Sequence, residues 1–449
     1  MDAEGNVSVL LGDPRGAIRS MAVPLFIALV VTEVNTLADR SWCSGLGQEA
    51  LAAVALCSPL YLVITGLGTG MGVGGAATVS RRIGSGEIDR ARVSAIQTLL
   101  FSLVFGAILA PILVLTCEDL LVLVGSGDVT QQSYDYMVWL AAGTPVLVLN
   151  GAVAGLLRGE GAARASTVMM AILAVTNIVL DPVLMYALDM GIAGAAVATV
   201  IATLVSTLVG LRVYLRSGFV GSGIRGFRYS GGDMRSVLSV GIPQMAEYTV
   251  MYAMNLVLNY IVVWCAGSDG VAVYSVPNMV VNIALLPAYA VGSALVPVAA
   301  AALGQGDRAK AEDAFRYSLR LSAVFVVVLT ALLFLIPDPF LYPFTYSDGT
   351  EYMREDMALA LRILSLCIPF YFLVPVSASL LQAIGRSDWS LACALARNVV
   401  FIVLYALAAT VSLEWIYWAV VLGSVIGGGM LLAAARAGFG KMPLSVGTG

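Results

Sequence analysis

The sequence predicts an all-α membrane protein: twelve transmembrane helices arranged as two pseudo-symmetric six-helix lobes around a central cleft. Three observations lead there. The chain is 59% hydrophobic and only 12% charged, with a mean hydropathy of +0.92, about half the charge density of an ordinary soluble domain. Apolar stretches of about 20 residues, enough to cross a hydrocarbon core of about 30 Å, recur twelve times. The second half also repeats the first, weakly but in order.

The stretches lie at 17–40, 49–78, 92–116, 132–157, 165–188 and 191–215, then at 237–265, 270–302, 315–336, 357–383, 388–411 and 414–435. The amino-terminal "MDAEGNVSVLLGDPRGAIRS" carries acids and lacks a basic n-region with a cleavage site, so no removable signal peptide is expected. Placing both termini and the even loops on one side collects 20 of the 24 lysines and arginines there. Positive charge accumulates in cytoplasmic loops, which puts both termini in the cytoplasm of a multi-pass protein of the inner (plasma) membrane. The opposite side holds the acidic "CEDLLVLVGSGDVTQQSYD" and "PDPFLYPFTYSDGTEYMRED".

The net charge of -4 expresses this sidedness and no nucleic-acid patch. Six cysteines stand singly without a CxxC, and there is no histidine. Structural disulfides, a transition-metal site and a resident cofactor are therefore not expected. A membrane-embedded enzyme would want a nucleophile with its base, or a metal motif, and none is present.

The repeat is read from "GMGVGGAATVSRRIGSGE" at 70 and "YAVGSALVPVAAAALGQGD" at 289, where an offset of 220 superposes Gly84 on Gly304. "GLLRGEGAARAS" at 155 meets "SLLQAIGRSDWS" at 379 with an offset of 224, and "AVP" at 22 meets "GIP" at 241. Both halves begin on the same side, so they are parallel repeats. The first lobe is assigned to 1–216, a Gly-, Ser- and Arg-rich linker to 217–235 and the second lobe to 236–449.

Ionisable residues inside the spans are few: Glu33, Asp39, Arg40, Asp181, Glu247, Arg362 and Arg397. Each needs a partner, a wet cavity or a neutral state, because a charge at mid-bilayer costs several kcal/mol. Asn177 and Asp181 are four residues apart on one helical face, and Thr199 lies equally far from the hairpin that follows. Asp39 sits at a comparable depth in the first span. Such a set offers oxygen acceptors and exchangeable protons, which suits a proton or a sodium ion.

Pro182 and Pro24 should bend their helices, since proline removes an N–H and clashes one turn back. Competing readings are an interfacial Asp39–Arg40 pair and a structural role for Asp181 beside the proline. Glu33 and Glu247 are possible additional ionisable sites. In the seventh span, Tyr248, Met251, Tyr252 and Met254 could line an adaptable apolar cleft, although a Met/Tyr stripe also suits plain helix packing.

The stretches "VNTLADRSWCSGLGQEALAAVAL", "GLGTGMGVGGAATVSRRIGSGE", "GLLRGEGAAR" and "NIVLDPVLMYALDMGIAGAAVATV" resemble the MATE (multidrug and toxic compound extrusion) transporters, most closely their DinF-like branch. The resemblance runs over nearly the whole chain. It implies antiport of amphipathic, often cationic, small molecules against protons or sodium ions. It also implies a coupling site on Asp39, Asn177, Asp181 and Thr199, with a bend at Pro24. The NorM-like branch uses carboxylates in spans seven and ten, and span ten here has none. A monomer acting on small molecules in the bilayer is expected. The alternative is a flippase for lipid-linked oligosaccharides or lipids, which would want clustered arginines for pyrophosphate; Arg40, Arg362 and Arg397 lie on three different spans. A channel is less consistent with duplicated halves.

Overall fold

The chain is seen here as a computed structural model that describes residues 3–124, 127–216, 228–345 and 351–441. After a short helix, Ala3–Leu11, the spans are numbered along the chain. Spans 1 to 3 are Pro14–Ser44, Gln48–Gly84 and Ile88–Leu115; span 4 is the pair Thr130–Ala142 and Thr144–Gly159; spans 5 and 6 are Ala163–Ala187 and Gly191–Arg216. Spans 7 to 12 are Gly231–Gly267, Gly270–Gly304, Arg308–Leu335, Glu351–Ala383, Ser387–Ala409 and Leu413–Gly440.

Of the expected linker, 217–227 lies outside the described residues, and Gly231 to Arg235 already belong to span 7. The helix starts there because the Ser230 side chain accepts the Asp233 amide as an N-cap.

Large apolar side chains point outward at helical spacing. On span 1, Val23, Phe26, Ile27, Val30, Val34 and Leu37 are all exposed, a stripe of the kind that faces lipid. Packing inward relies on small residues instead. Lipid is as apolar as leucine, so spans associate by close van der Waals approach. Gly68 and Gly72 of span 2 face Gly151 and Gly155 of span 4 so closely that a Cβ on Gly155 would lie 2.3 Å from the Cα of Gly72.

Spans 4 and 10 are both interrupted. Span 4 bends by 55° between its two helices. Span 10 runs as Arg354–Ser365, breaks, and resumes as Ile368–Tyr371 and Leu373–Ala383. Pro145 and Pro369 open the resumed helices and are counterparts at the offset of 224. A proline tolerates the first turn of a helix but cannot donate to the turn before it, so both repeats are punctuated at one place.

The lobes are joined at the side that holds the basic residues. There one core mixes both halves, for example Ile18, Ile83 and Leu157 with Leu295, Leu303 and Leu381. Toward the acidic side each lobe has its own core: Cys57, Ile64, Leu121 and Leu140 in the first, Leu285, Leu361, Phe401 and Tyr405 in the second. Ion pairs and side-chain bonds reinforce the joined side. Arg82 meets Asp233 at 2.7 Å, Arg15 meets Asp313 at 2.8 Å, and Lys310 Nζ donates to the Leu11 carbonyl at 2.7 Å. At the contact between lobes Gly84 meets Gly304, its own repeat partner, and a Cβ on Gly84 would lie 2.0 Å from the Ala301 oxygen. The two lobes thus share clusters through the basic half and keep separate ones toward the acidic side.

Candidate functional site

Two polar pairs of identical spacing face each other in the first lobe. Asn35 and Asp39 lie one turn apart on span 1, Asn177 and Asp181 one turn apart on span 5, so each pair presents on one helical face. Asn177 Nδ2 donates to Asp181 Oδ1 at 2.8 Å. Asn35 Nδ2 donates to Asn177 Oδ1 at 3.1 Å and reaches Asp39 Oδ2 at 3.3 Å. The Asp39 and Asp181 carboxyls are close enough to act on each other electrostatically. Asn177 and Asp181 are each only 1% exposed, while Asp39 is half-buried.

Three oxygens of this group, Asn35 Oδ1, Asp39 Oδ1 and Asp181 Oδ2, are enclosed and receive no donor. Buried polar atoms are nearly always satisfied. Three enclosed acceptors without donors on two facing pairs are therefore suited to a positive ligand: a proton on the carboxyl pair, or a hard cation held by oxygens. Among the described residues no group of three His, Cys, Asp or Glu side chains could hold a metal ion.

The structure unites Asp39, Asn177 and Asp181 as the sequence predicts and adds Asn35, which sequence reasoning missed. The signal was present: "NTLAD" repeats the N-x-x-x-D spacing of "NIVLD". Thr199 is buried on span 6, but its hydroxyl proton goes to the Ala195 carbonyl at 3.0 Å, leaving only lone pairs to offer. Pro182 ends the α-helical part of span 5, and Val183–Ala187 continue as a wider π-helical turn. Pro24 sits inside the helix of span 1. Among the described residues Asp39 forms no ion pair with Arg40, whose charge acts on Glu33 instead.

The second lobe holds a different polar group. Glu247 accepts from Ser390 Oγ at 2.9 Å. Tyr248 and Tyr252 are stacked, with centroids 6.3 Å apart, over Gly66 of the first lobe, where a Cβ would come within 2.8 Å of Tyr248. They and Met251 are half-buried. Met254, expected at the cleft, is instead packed in the second-lobe core, because it lies on the face of span 7 turned toward the lobe interior.

The MatE family model matches residues 24–183 and again 243–407. The chain belongs to the MatE family. The two matches begin at Pro24 and Pro243 and end at Val183 and Leu407, counterparts in the two repeats. This MatE chain is 27% identical over 404 residues to an FAD transporter of Shewanella oneidensis, covering 87% of each. It is 23% identical to the multidrug export protein MepA of Staphylococcus saprophyticus, covering 90% of each. Among solved structures it is similar to a MATE crystal structure in complex with MaL6, at a TM-score of 0.92 and 28% identity over 97% of this chain and 98% of that one. It is equally similar to a multidrug resistance MATE transporter in an outward-facing conformation, at 0.91 and 28%, with the same coverage. This MatE protein is therefore a membrane transporter and not an enzyme, and its twelve spans form the MATE fold.

Proposed function

We propose that the protein is a secondary antiporter of the inner membrane, with both termini in the cytoplasm, that exports amphipathic small molecules, cationic ones among them. Protons or sodium ions entering at Asn35, Asp39, Asn177 and Asp181 drive it. The observation that carries this reading is the trio of enclosed, undonated oxygens on two facing N-x-x-x-D pairs. An occupied site stabilises one arrangement of spans 1 and 5 over another, which is what coupling requires. Pro24 and the π-helical turn after Pro182 are the points where those spans can yield. The lobes share clusters from the basic end as far as Met71 and Met245 and have separate cores beyond, which supports alternating access with the cleft open to the acidic, outer side.

The similarity to a multidrug export protein supports broad amphipathic cargo, and the half-buried Tyr248, Met251 and Tyr252 suit it. The similarity to an FAD transporter extends the range toward larger, phosphorylated cargo. A flippase for lipid-linked sugars is less well supported, because Arg40 and Arg362 are exposed and only Arg397 is buried.

The test is efflux from proteoliposomes under an imposed pH gradient or an imposed sodium gradient, with Asp39→Asn and Asp181→Asn beside the parent. Loss of gradient-driven efflux in both variants is expected, and undiminished efflux in both would remove the coupling assignment. The gradient that drives the parent identifies the ion.

A further inference from the structure

Arg397 is a buried cation that forms no ion pair among the described residues. It is eleventh among the 23 residues of span 11, hence at mid-span, and only 6% exposed. Among the described residues its guanidinium forms no ion pair within 4.0 Å and no hydrogen bond, and its Nε is enclosed without an acceptor. The amide nitrogen of the adjacent Asn398, 7% exposed, also lacks one. Such a charge is expensive in a bilayer, where arginines pair or line a cavity.

The surroundings hold the guanidinium in place without an ion pair. Its stem lies against Gly427, where a Cβ would come within 2.6 Å of Arg397 Cδ. Its head is 5.8 Å from the ring centroid of Tyr371. Glu247, which accepts from Ser390 at 2.9 Å, is within electrostatic reach but forms no ion pair with the guanidinium within 4.0 Å. Tyr371 also ends the short helix Ile368–Tyr371 that follows the break in span 10, the counterpart of the bend in span 4. Interrupted helices at matching positions of two repeats mark substrate sites in transporters.

We propose that Arg397 is the anion-binding end of the cargo site and takes a carboxylate or phosphate group of the exported molecule, with Tyr371 beside it and Glu247 as the internal competitor. A planar guanidinium offers a paired set of donors to either group. This rests on the export reading and narrows it: preferred cargo carries an anionic group on its apolar body, so a positively charged substrate is taken best as a zwitterion. The N-lobe carboxylates cannot serve that group, since like charge repels it.

Equilibrium binding by the full-length protein in detergent tests this with two matched pairs, flavin mononucleotide against riboflavin and 1-naphthaleneacetate against 1-naphthaleneacetamide. The parent is expected to bind at least one anionic member about tenfold tighter than its neutral partner. Arg397→Gln should bind both members alike, Arg397→Lys should keep part of the preference, and Glu247→Gln should strengthen it. Equal binding within both pairs by the parent, no binding of any of the four at millimolar concentration, or a preference unchanged in a folded Arg397→Gln protein would each overturn the proposal. The parent pairs and Glu247→Gln decide the matter if Arg397→Gln does not fold. No gradient is imposed, so failure here leaves gradient-driven export standing, and loss of export in the Asp39 and Asp181 variants leaves this binding untouched.

Discussion

The two lobes share a backbone plan and differ in what they enclose. At the repeat offsets, Asn35 and Asp39 correspond to Met254 and Leu258, and Asn177 and Asp181 to Phe401 and Tyr405. "NIVLDP" in one lobe is "FIVLYA" in the other. Where the first lobe gathers four polar side chains with three undonated oxygens, the second packs Met254, Phe401 and Tyr405 into its core, with Tyr405 bonded to Tyr274 at 2.8 Å. One framework therefore supports either a polar group with undonated oxygens or an apolar core, and these four positions carry the difference. The same offset sets Arg397 against Leu173, so each lobe carries a polar feature that its twin lacks.

The largest expected effect comes from removing the difference in the first lobe. Asp181→Asn keeps the shape and the Asn177 bond but abolishes the ionisable group, and gradient-driven efflux in proteoliposomes should fall by about 100-fold or more. Residual coupled transport near the parental rate would mean the ion enters elsewhere. Installing the pair in the second lobe is the reverse test. Phe401→Asn with Tyr405→Asp buries an unpaired carboxylate and opens a cavity, so unfolding should be easier by about 3 kcal/mol or more, read from melting in detergent, with no gain of transport. A well-folded double variant would show that the second-lobe core tolerates charge.

Asn35→Ala sharpens the comparison at a residue that touches the carboxylates without titrating. It frees Asn177 Oδ1 and Asp39 Oδ2 from their donor, and ion affinity should weaken about tenfold with maximal transport largely kept, the pattern of a supporting ligand. An unaltered ion dependence would confine Asn35 to packing.

The smallest effect concerns Glu160, just beyond the end of span 4, whose repeat counterpart is Ile384. Burial pushes its carboxyl from 4.5 up to about 8, against the Tyr214 hydroxyl, which lowers it. Between those values the folded chain keeps a proton that the unfolded chain has lost, so stability falls as pH rises through that window. Glu160→Gln should flatten the decline, raising the melting temperature near pH 8 by about 2 °C. An identical pH slope in both proteins would show that the carboxyl is not shielded.

The spans were legible in the sequence because length and hydropathy are local properties, and all twelve appear within a few residues of their expected bounds. The break in span 10 and the bend in span 4 were less so, because a proline at a helix start reads like any other proline until its neighbours are placed. Asp39, Asn177 and Asp181 stood out as polar residues in apolar runs. Asn35 was missed because an uncharged amide attracts less notice, although its spacing to Asp39 repeats that of Asn177 to Asp181. The direction of the Thr199 hydroxyl and the enclosure of Arg397 depend on rotamers and on neighbours hundreds of residues away, which no spacing encodes.

Gly84 touching Gly304 makes the lobe contact symmetric. Each is the other's repeat partner, so the contact is isologous, the self-complementary kind made by two copies of one subunit. Residues 1–216 and 231–449, produced as separate polypeptides in one cell, are accordingly expected to assemble, with recovery of the second on a tag carried by the first as the readout. Alanine at Gly84 should abolish that recovery.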